Sequence, residues 1–281
     1  MTPLWRRHPV GIVGLGLIGG SIGLDLRAAG AVVHALVHRP TTAEQARARG
    51  LADRISTEPS VLAECALVVL ALPLDRLLEP DPALLAALPP GAVVTDVGSV
   101  KAPVLKVWRP LMGSRFVASH PMAGTARSGV EAGERGLFHG RPWVATPAVD
   151  TDPTALAAVA DLAAMLGARW LCCDADAHDR VVALISHLPV LVGAALLQTA
   201  ASGGDLARAL ASSGFADTSR VGGGNPELGC LMARTNREAL LVALASYRLA
   251  LDQLEGHLRH HDWPSLRQDL TICQRLRPEF L

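Results

Sequence analysis

The sequence predicts an α/β N-terminal domain with a doubly wound, mainly parallel sheet, followed by an all-α domain that forms a dimer. A glycine-rich turn near the N-terminus joins a predicted strand to a predicted helix. Short apolar runs then alternate with helical spacing as far as Cys173. From Asp176 onward only helical spacing remains. These observations place the domain boundary between residues 1–174 and 175–281.

The glycine-rich turn has the spacing of a dinucleotide-binding loop. The pattern G-x-G-x-x-G lies between the predicted strand 10–13 and the predicted helix 21–29, and a second strand at 32–37 closes the unit. Such a turn lets the backbone approach a pyrophosphate, whose charge the helix N-terminus stabilises. The sequence therefore predicts a Rossmann cofactor site. Its expected contacts here are Gly14, Leu15, Gly16, Leu17, Ile18 and Gly19.

The end of the second strand indicates which dinucleotide binds. NAD sites usually carry a carboxylate there for the ribose 2′-hydroxyl, but this segment reads His38-Arg39-Pro40-Thr41-Thr42. An arginine can pair with a 2′-phosphate, and threonine hydroxyls can hydrogen-bond to it. We therefore expect NADP, bound by His38, Arg39, Thr41 and Thr42. The alternative is that Arg39 is an exposed arginine on a solvated loop.

Two further apolar runs are predicted strands, at residues 66–72 and 92–97. Each ends in a loop, and ligands of open α/β sheets bind beyond the carboxyl ends of the strands. The expected cofactor contacts in these loops are Leu72, Pro73, Leu74 and Ser99.

A short apolar run ends at His120, where Pro121 stops the strand. Histidine titrates near neutral pH and is suited to accept a proton, so His120 is the candidate general base. The alternative is a histidine that caps a strand end. Ser99 is expected to hydrogen-bond to His120 or to the nicotinamide, and a helix N-cap is its other interpretation.

Two polar segments interrupt the helical half. One lies within a long apolar helix and contains Ser186 and His187; the other is a predicted loop at 214–226 with Asp217 and Arg220. The planar guanidinium of Arg220 is suited to hold a substrate carboxylate, and an ion pair with Asp217 is the alternative. A polar patch within a helix bundle is the alternative role of Ser186 and His187.

The predicted helices of this half expose more apolar surface than one copy can cover, so we expect a homodimer. The apolar run at 181–201 contains His187, Pro189 and Gln198, which favours a buried helix over a membrane span. The predicted helices are residues 181–201, 205–213, 226–255 and 264–276.

Composition argues against several function classes. A formal net charge of +0 and 4% aromatic residues argue against nucleic-acid partners. An odd number of cysteines without C-x-x-C predicts a reduced, cytoplasmic protein. No metal is expected, because the polar clusters are interpreted as solvated helix faces or caps. Their members are His257, His260 and His261, and Asp174, Asp176, His178 and Asp179.

Five segments together resemble the prephenate/arogenate dehydrogenase family of tyrosine biosynthesis. They are the glycine turn at 14–19, D-V-G-S-V-K at 96–101, H-P-M-A-G-T at 120–125, S-H-L-P at 186–189 and G-F-A-D-T-S-R at 214–220. The resemblance implies an oxidative decarboxylation, in which a cyclohexadienol gives a hydride from C4 to the nicotinamide and loses CO₂. It implies that His120 draws off the C4 hydroxyl proton, that Ser99 orients His120 and that Arg220 holds a carboxylate. Further implied substrate contacts are Gly124, Thr125, Ser186 and Asp217.

Among the departures from the family pattern, Val190 and Gly229, together with Arg39 in the cofactor loop, resemble the NADP-dependent arogenate branch. Many members have an acidic residue, a histidine and a tryptophan where this chain has Ala126, Val190 and Gly229. We therefore predict an NADP-dependent arogenate dehydrogenase. The alternative within the family is a prephenate dehydrogenase that uses NAD or NADP. A β-hydroxyacid or imine reductase would need a lysine in the helix at 181–201, which has none, and a non-catalytic NADPH-binding dimer would lack His120.

Overall fold

A computed structural model describes residues 4–125 and 127–280. Its larger sheet is entirely parallel, and the strand order across it is β3-β2-β1-β4-β5-β6. The order reverses between β1 and β4, and a crevice for a ligand forms at such a point. The strands are β1 (Val10–Val13), β2 (Val33–Leu36), β3 (Arg54–Ser56), β4 (Leu67–Leu70), β5 (Val93–Asp96) and β6 (Phe116–Val117).

Helices pack on both faces of this sheet, so the predicted doubly wound architecture is confirmed. Successive strand residues point to opposite faces. Ile12 and Val69 therefore pack into one apolar core, whereas Val13 and Val68 pack into the other. The helices of this half are α1 (Leu17–Ala28), α2 (Pro40–Ala48), α3 (Leu74–Leu78), α4 (Pro82–Ala87), α5 (Ala102–Met112) and α6 (Pro153–Met165).

The expectation that one sheet continues to Cys173 was wrong. A second, three-stranded sheet contains β7 (Ser119–Pro121), β8 (Pro142–Ala145) and β9 (Arg169–Cys172), and β7 runs antiparallel to β8. The chain leaves the first sheet after β6 because the Ser119 N–H donates to the Asp96 carboxylate instead of a backbone carbonyl. This departure places His120 in the second sheet, where it pairs with Val144 of β8.

From Ala175 onward the described elements are all helical, and the predicted boundary at residue 174 falls just before them. The predicted loop at 214–226 is largely helical, and the predicted helix at 226–255 breaks at Asn236, whose side chain donates to the Asp179 carbonyl. The elements are α7 (Ala175–Val182), a π-helical turn (Ala183–His187), α8 (Leu188–Ala201), α9 (Gly204–Leu210), α10 (Ser213–Ser219), a 3₁₀ turn (Arg220–Gly223), α11 (Pro226–Thr235), α12 (Arg237–Arg259) and α13 (Trp263–Leu276).

The continuous helical segment Ala175–Ala201 is long and apolar enough to cross a membrane by length and composition alone. Only 28% of its most apolar window is buried within the single chain. Val181, Leu184 and Ile185 on this helix are about half exposed in the single chain, whereas the sequence predicts a helix that is buried in the core of a dimer.

Candidate active site

The glycine turn is shaped for a dinucleotide. Gly14 has a φ of +94°, and a Cβ added there would lie 2.4 Å from the Ala71 carbonyl oxygen. A Cβ added at Gly19 would lie 1.9 Å from the Gly14 carbonyl oxygen. A Cβ at Gly16 would meet no atom within 4 Å. Gly16 is the N-cap of α1, so its open backbone stands where the positive end of a helix dipole favours a phosphate. The turn therefore fits the diphosphate of a dinucleotide.

The sequence-predicted ribose contacts lie at the end of β2. His38, Arg39 and Thr41 are exposed and Thr42 is half-buried, around the N-terminus of α2. Their side chains are accessible to a bound group. After β4, Leu72 is half-buried and Pro73 is exposed, whereas Leu74 is buried in the core. Of the turn residues, Leu15 is buried, and Leu17 and Ile18 are half-buried at the start of α1.

His120 lies in β7 and is 8% exposed. Its Nδ1 is 3.0 Å from Nε2 of His178 on α7, and Nδ1 of His178 is 2.8 Å from Oδ1 of Asp179. The Asp179 carboxylate accepts the backbone N–H groups of Lys101 at 2.7 Å and Ala102 at 2.9 Å. A continuous chain of polar contacts therefore joins the candidate base to the N-terminus of α5.

The interpretation of His178 and Asp179 as a solvated helix face was wrong, because they are 3% and 6% exposed. They share the buried face of α7 with Val182. A signal was present in the sequence, since positions 178, 179 and 182 have the i, i+1, i+4 spacing of one helix face. Asp174 in the same cluster is the α7 N-cap and accepts the N–H of Ala177, whereas Asp176 lies in the first turn of the helix.

The electrostatic environment keeps His120 neutral. Burial lowers the pKa of His120 well below its usual 6.5, and the nearby His178, Lys101 and His187 lower it further. A neutral imidazole is the form that accepts a proton.

His187 is fully buried in the π-helical turn. Burial lowers its pKa to about 4, with Asp179 opposing the shift. The Asn236 amide nitrogen lies 3.1 Å from Nδ1 of His187. The same nitrogen donates to the Asp179 carbonyl at 2.7 Å. The Nε2 of His187 has no hydrogen-bond partner among the described residues.

A buried charged pair supports the β7 backbone. The Lys101 ammonium donates to Asp96 and, at 2.6 Å, to the Ser119 carbonyl; Asp96 also accepts N–H groups from Gly98 and Ser119. Burial raises the pKa of Asp96, and the Lys101 ammonium is the main opposing influence. Sequence reasoning recognised the segment but assigned no role to this pair.

Ser99 is half-buried in the loop after β5. In the described part of the chain no hydrogen bond joins Ser99 to His120, whose Nδ1 faces His178 instead. Lys101 and not Ser99 is the N-cap residue of α5, so the N-cap interpretation of Ser99 was wrong.

The candidate substrate residues come from separate elements. Gly124 and Thr125 are exposed after β7, and Ala126 lies outside the described residues. Arg220 and Asp217 are exposed, and no salt bridge links them in the described structure. Ser186 is half-buried in the π-helical turn, one residue before His187.

The 3₁₀ turn that begins at Arg220 is anchored on α8. A Cβ at Gly222 would lie 2.1 Å from backbone atoms of Gly193 and Ala194, so the two backbones pack in direct contact. This close contact holds the turn of Arg220 against the helix that follows His187.

Two histidines of the C-terminal cluster, His257 and His260, contact groups on the helices of that region. Nε2 of His257 lies 3.1 Å from Asp269, and Nδ1 of His260 lies 2.8 Å from the Gly256 carbonyl. Within residues 4–125 and 127–280 there is no group of three or more His, Cys, Asp or Glu side chains that could hold a metal ion.

Comparison with known proteins gives two family matches that together span most of the chain. Residues 22–172 match the model described as prephenate dehydrogenase, nucleotide-binding domain. Residues 174–272 match the model described as prephenate dehydrogenase, dimerization domain.

Similar proteins match over nearly the full length. The fold resembles Synechocystis arogenate dehydrogenase with 41% identity and a TM-score of 0.83, covering 97% of this chain and 100% of that one. Prephenate dehydrogenase from A. aeolicus, solved with hydroxyphenyl propionate and NAD⁺, gives 28% identity and a TM-score of 0.90, covering 97% and 98%. Cyclohexadienyl dehydrogenase from Zymomonas mobilis is 29% identical over 276 residues, which are 95% of this chain and 94% of that protein.

Proposed function

The chain belongs to the prephenate dehydrogenase family, and from this premise we propose that it is an NADP-dependent arogenate dehydrogenase. The reaction would convert L-arogenate to L-tyrosine with loss of CO₂. The observation that carries the proposal is His120, a buried and neutral imidazole that belongs to the nucleotide-binding half and contacts His178 of the helical half. Such a group is positioned to act on a substrate that contacts both parts.

The proposed role of His120 is general-base catalysis. It accepts the proton of the substrate C4 hydroxyl. General-base catalysis of this kind raises the rate about 10²–10⁴-fold. Bound NADP would supply the acceptor for the hydride that leaves C4. Because the ring becomes aromatic as CO₂ departs, the remaining task of the protein is to position and polarise the substrate.

NADP is proposed over NAD because of the loop after β2. Residues 37–42 contain no carboxylate for a ribose 2′-hydroxyl, and exposed Arg39 is suited to a 2′-phosphate. The other proposed contacts are Gly14, Leu15, Gly16, Leu17, Ile18, Gly19, His38, Thr41, Thr42, Leu72, Pro73, Leu74 and Ser99.

Arginine 220 is proposed to hold a substrate carboxylate, since its guanidinium is exposed on a firmly anchored turn. Gly124, Thr125, Ser186 and Asp217 are proposed as further substrate contacts. Arogenate is favoured by the 41% identity to the Synechocystis enzyme. Prephenate dehydrogenase with NAD or NADP is the second candidate, favoured by the fold of the A. aeolicus enzyme.

We also propose a homodimer that forms through the helical half and works in the cytoplasm. The half-exposed Val181, Leu184 and Ile185 are apolar surface that a second copy would cover. All five cysteines are free, as in a reducing compartment.

Initial rates of nicotinamide reduction test the proposal, with arogenate and prephenate each paired with NADP and NAD. We expect turnover with arogenate and NADP to exceed the other three pairings. Dominant prephenate turnover would favour the second candidate, and no turnover in any pairing would refute both.

A further inference from the structure

We infer that His178 and Asp179 hold His120 in the tautomer whose Nε2 carries the lone pair, so that Nε2 is the proton acceptor. The identity of the transferred proton rests on the proposed function, whereas the assignment of the histidine tautomers rests only on the hydrogen-bond geometry. His178 and Asp179 are thus positioning residues, which act on the substrate through His120.

The two oxygens of the Asp179 carboxylate accept the backbone N–H groups of Lys101 and Ala102. These groups lie at the first turn of α5, where the helix dipole favours a negative charge. An ionised carboxylate can only accept hydrogen bonds. The 2.8 Å contact between Asp179 Oδ1 and His178 Nδ1 must therefore carry an N–H donated by the histidine.

The next contact follows from this assignment. A neutral histidine with hydrogen on Nδ1 has its lone pair on Nε2. Nε2 of His178 lies 3.0 Å from Nδ1 of His120, so the hydrogen of this bond belongs to His120. The lone pair of His120 is then on Nε2, the nitrogen that does not face His178.

The opposite tautomer would carry a large cost. Hydrogen on Nε2 of His178 would turn the Nδ1 lone pair towards the Asp179 carboxylate, with both residues more than nine-tenths buried. A buried polar contact without its hydrogen bond is unfavourable, and more so where one of the groups is charged. The other charged or titratable groups near His120 are Lys101 and His187. Lys101 donates its ammonium hydrogens to Asp96 and the Ser119 carbonyl.

This arrangement suits a base that must return its proton. The substrate O–H bond breaks as an N–H bond forms on His120 Nε2, and a bound oxidised nicotinamide would accept the hydride, with its two electrons, that leaves C4. The bond to the leaving carboxylate then breaks, and CO₂ departs. The electron pair of the broken bond stays on the ring and makes it aromatic, and the C4 oxygen takes the proton back from Nε2. The Asp179 charge, acting through His178, stabilises the transient imidazolium of His120.

Nitrogen NMR of histidine-labelled holoenzyme tests the tautomers directly and needs no turnover. We expect Nδ1 protonated and Nε2 unprotonated in both His120 and His178, with signals assigned from single variants of each. A proton on Nε2 of either ring in the neutral form would overturn the inference.

Kinetics with matched variants give a second test. In His178→Gln the amide oxygen can still accept from His120, whereas His178→Leu has no acceptor. We expect kcat of the leucine variant to fall by roughly 10²-fold or more and that of the glutamine variant by much less, with KM little changed in both. Equal kcat losses in the two variants would contradict the inference.

The carboxylate is tested by Asp179→Asn, with Asp176→Asn on the exposed face of the same helix as the control. An amide can impose the wrong tautomer on His178, so we expect kcat to fall by about 10²–10⁴ and the acid limb of kcat/KM to move to lower pH. An unmoved acid limb in a folded variant would argue for a merely structural role. If Asp179→Asn does not fold, the NMR spectra and the comparison of His178→Gln with His178→Leu still test the inference. Failure of the wild type to oxidise either substrate would refute the proposed function but leave the tautomer test intact.

Discussion

Lys101 and Asp96 form an ion pair in which neither side chain reaches solvent, next to the backbone of the strand that carries His120. The Lys101 ammonium also donates to the carbonyl of Ser119, the residue before His120. The pair therefore ties the loop after β5 to β7, and the position of the candidate base depends on it.

Removal of the lysine should be costly. Lys101→Met leaves the Asp96 carboxyl buried without its main partner, and breaking such a pair costs about 3–5 kcal/mol. Urea denaturation should show this loss in the free energy of unfolding. The control is Lys106→Met on the exposed face of α5, which we expect to stay within about 0.5 kcal/mol. A loss below about 1 kcal/mol for Lys101→Met would mean that the pair does not hold the loop.

Replacement of the candidate base separates chemistry from binding. His120→Asn should lower kcat by about 10²–10⁴, because the amide cannot take the hydroxyl proton, while NADP affinity stays near that of the wild type. We expect steady-state assays to show this loss of kcat and calorimetry to show unchanged NADP binding. Near-normal turnover would remove His120 from the role of base.

The pH profile of the wild type adds a test with a definite sign. Since burial holds the pKa of His120 below 6.5, the proton-accepting form persists below that pH. The acid limb of kcat/KM should therefore lie below pH 6.5, and activity should fall as the pH drops through it. An acid limb above pH 6.5 would contradict the assignment.

The sequence predicted the parts of the fold that depend on local pattern. The turn at Gly14 and the run at 66–72 carry their own geometry in glycine spacing and unbroken apolar character. The separate second sheet could not be predicted, because it depends on the Ser119 N–H bonding to a side chain that is distant in sequence. Likewise, the break at Asn236 depends on its side-chain contact with the Asp179 carbonyl, a long-range interaction.

The candidate site divides in the same way. His120 was predictable, since a histidine followed by proline at a strand end is a local feature. His178 and Asp179 were missed, because their acidic surroundings in the sequence resemble a solvated helix start, although their spacing with Val182 was the signal of one helix face. Only the packing of α7 against α5 buries them.

The choice of cofactor can be tested at Arg39. A charge-assisted hydrogen bond to a 2′-phosphate is worth about 1.5–3 kcal/mol, so Arg39→Ala should weaken NADP binding roughly 10–100-fold and leave NAD binding nearly unchanged. Affinities for both dinucleotides, measured by calorimetry, give the ratio. Arg47→Ala is the control, because Arg47 lies in α2, the helix that follows Arg39, but donates to the Ile55 carbonyl. Equal losses for both dinucleotides in Arg39→Ala would assign Arg39 a structural role.

Two glycines of the same turn should respond to alanine in opposite ways. At Gly19 an added Cβ would lie 1.9 Å from the Gly14 carbonyl oxygen, so Gly19→Ala should lower the free energy of unfolding of the cofactor-free protein by about 1–3 kcal/mol. At Gly16 the φ is −77° and an added Cβ meets no atom within 4 Å, so the cofactor-free protein should keep its stability.

The same methyl group at Gly16 would stand where the diphosphate must approach the backbone. Gly16→Ala should therefore weaken dinucleotide binding by roughly tenfold or more, equivalent to about 1.4 kcal/mol. Urea denaturation without cofactor and calorimetry with NADP measure the two effects separately. Normal NADP affinity in a fully stable Gly16→Ala variant would show that the diphosphate does not pass over this turn, because an added Cβ at Gly16 meets no protein atom within 4 Å and a bound diphosphate is the group it would obstruct.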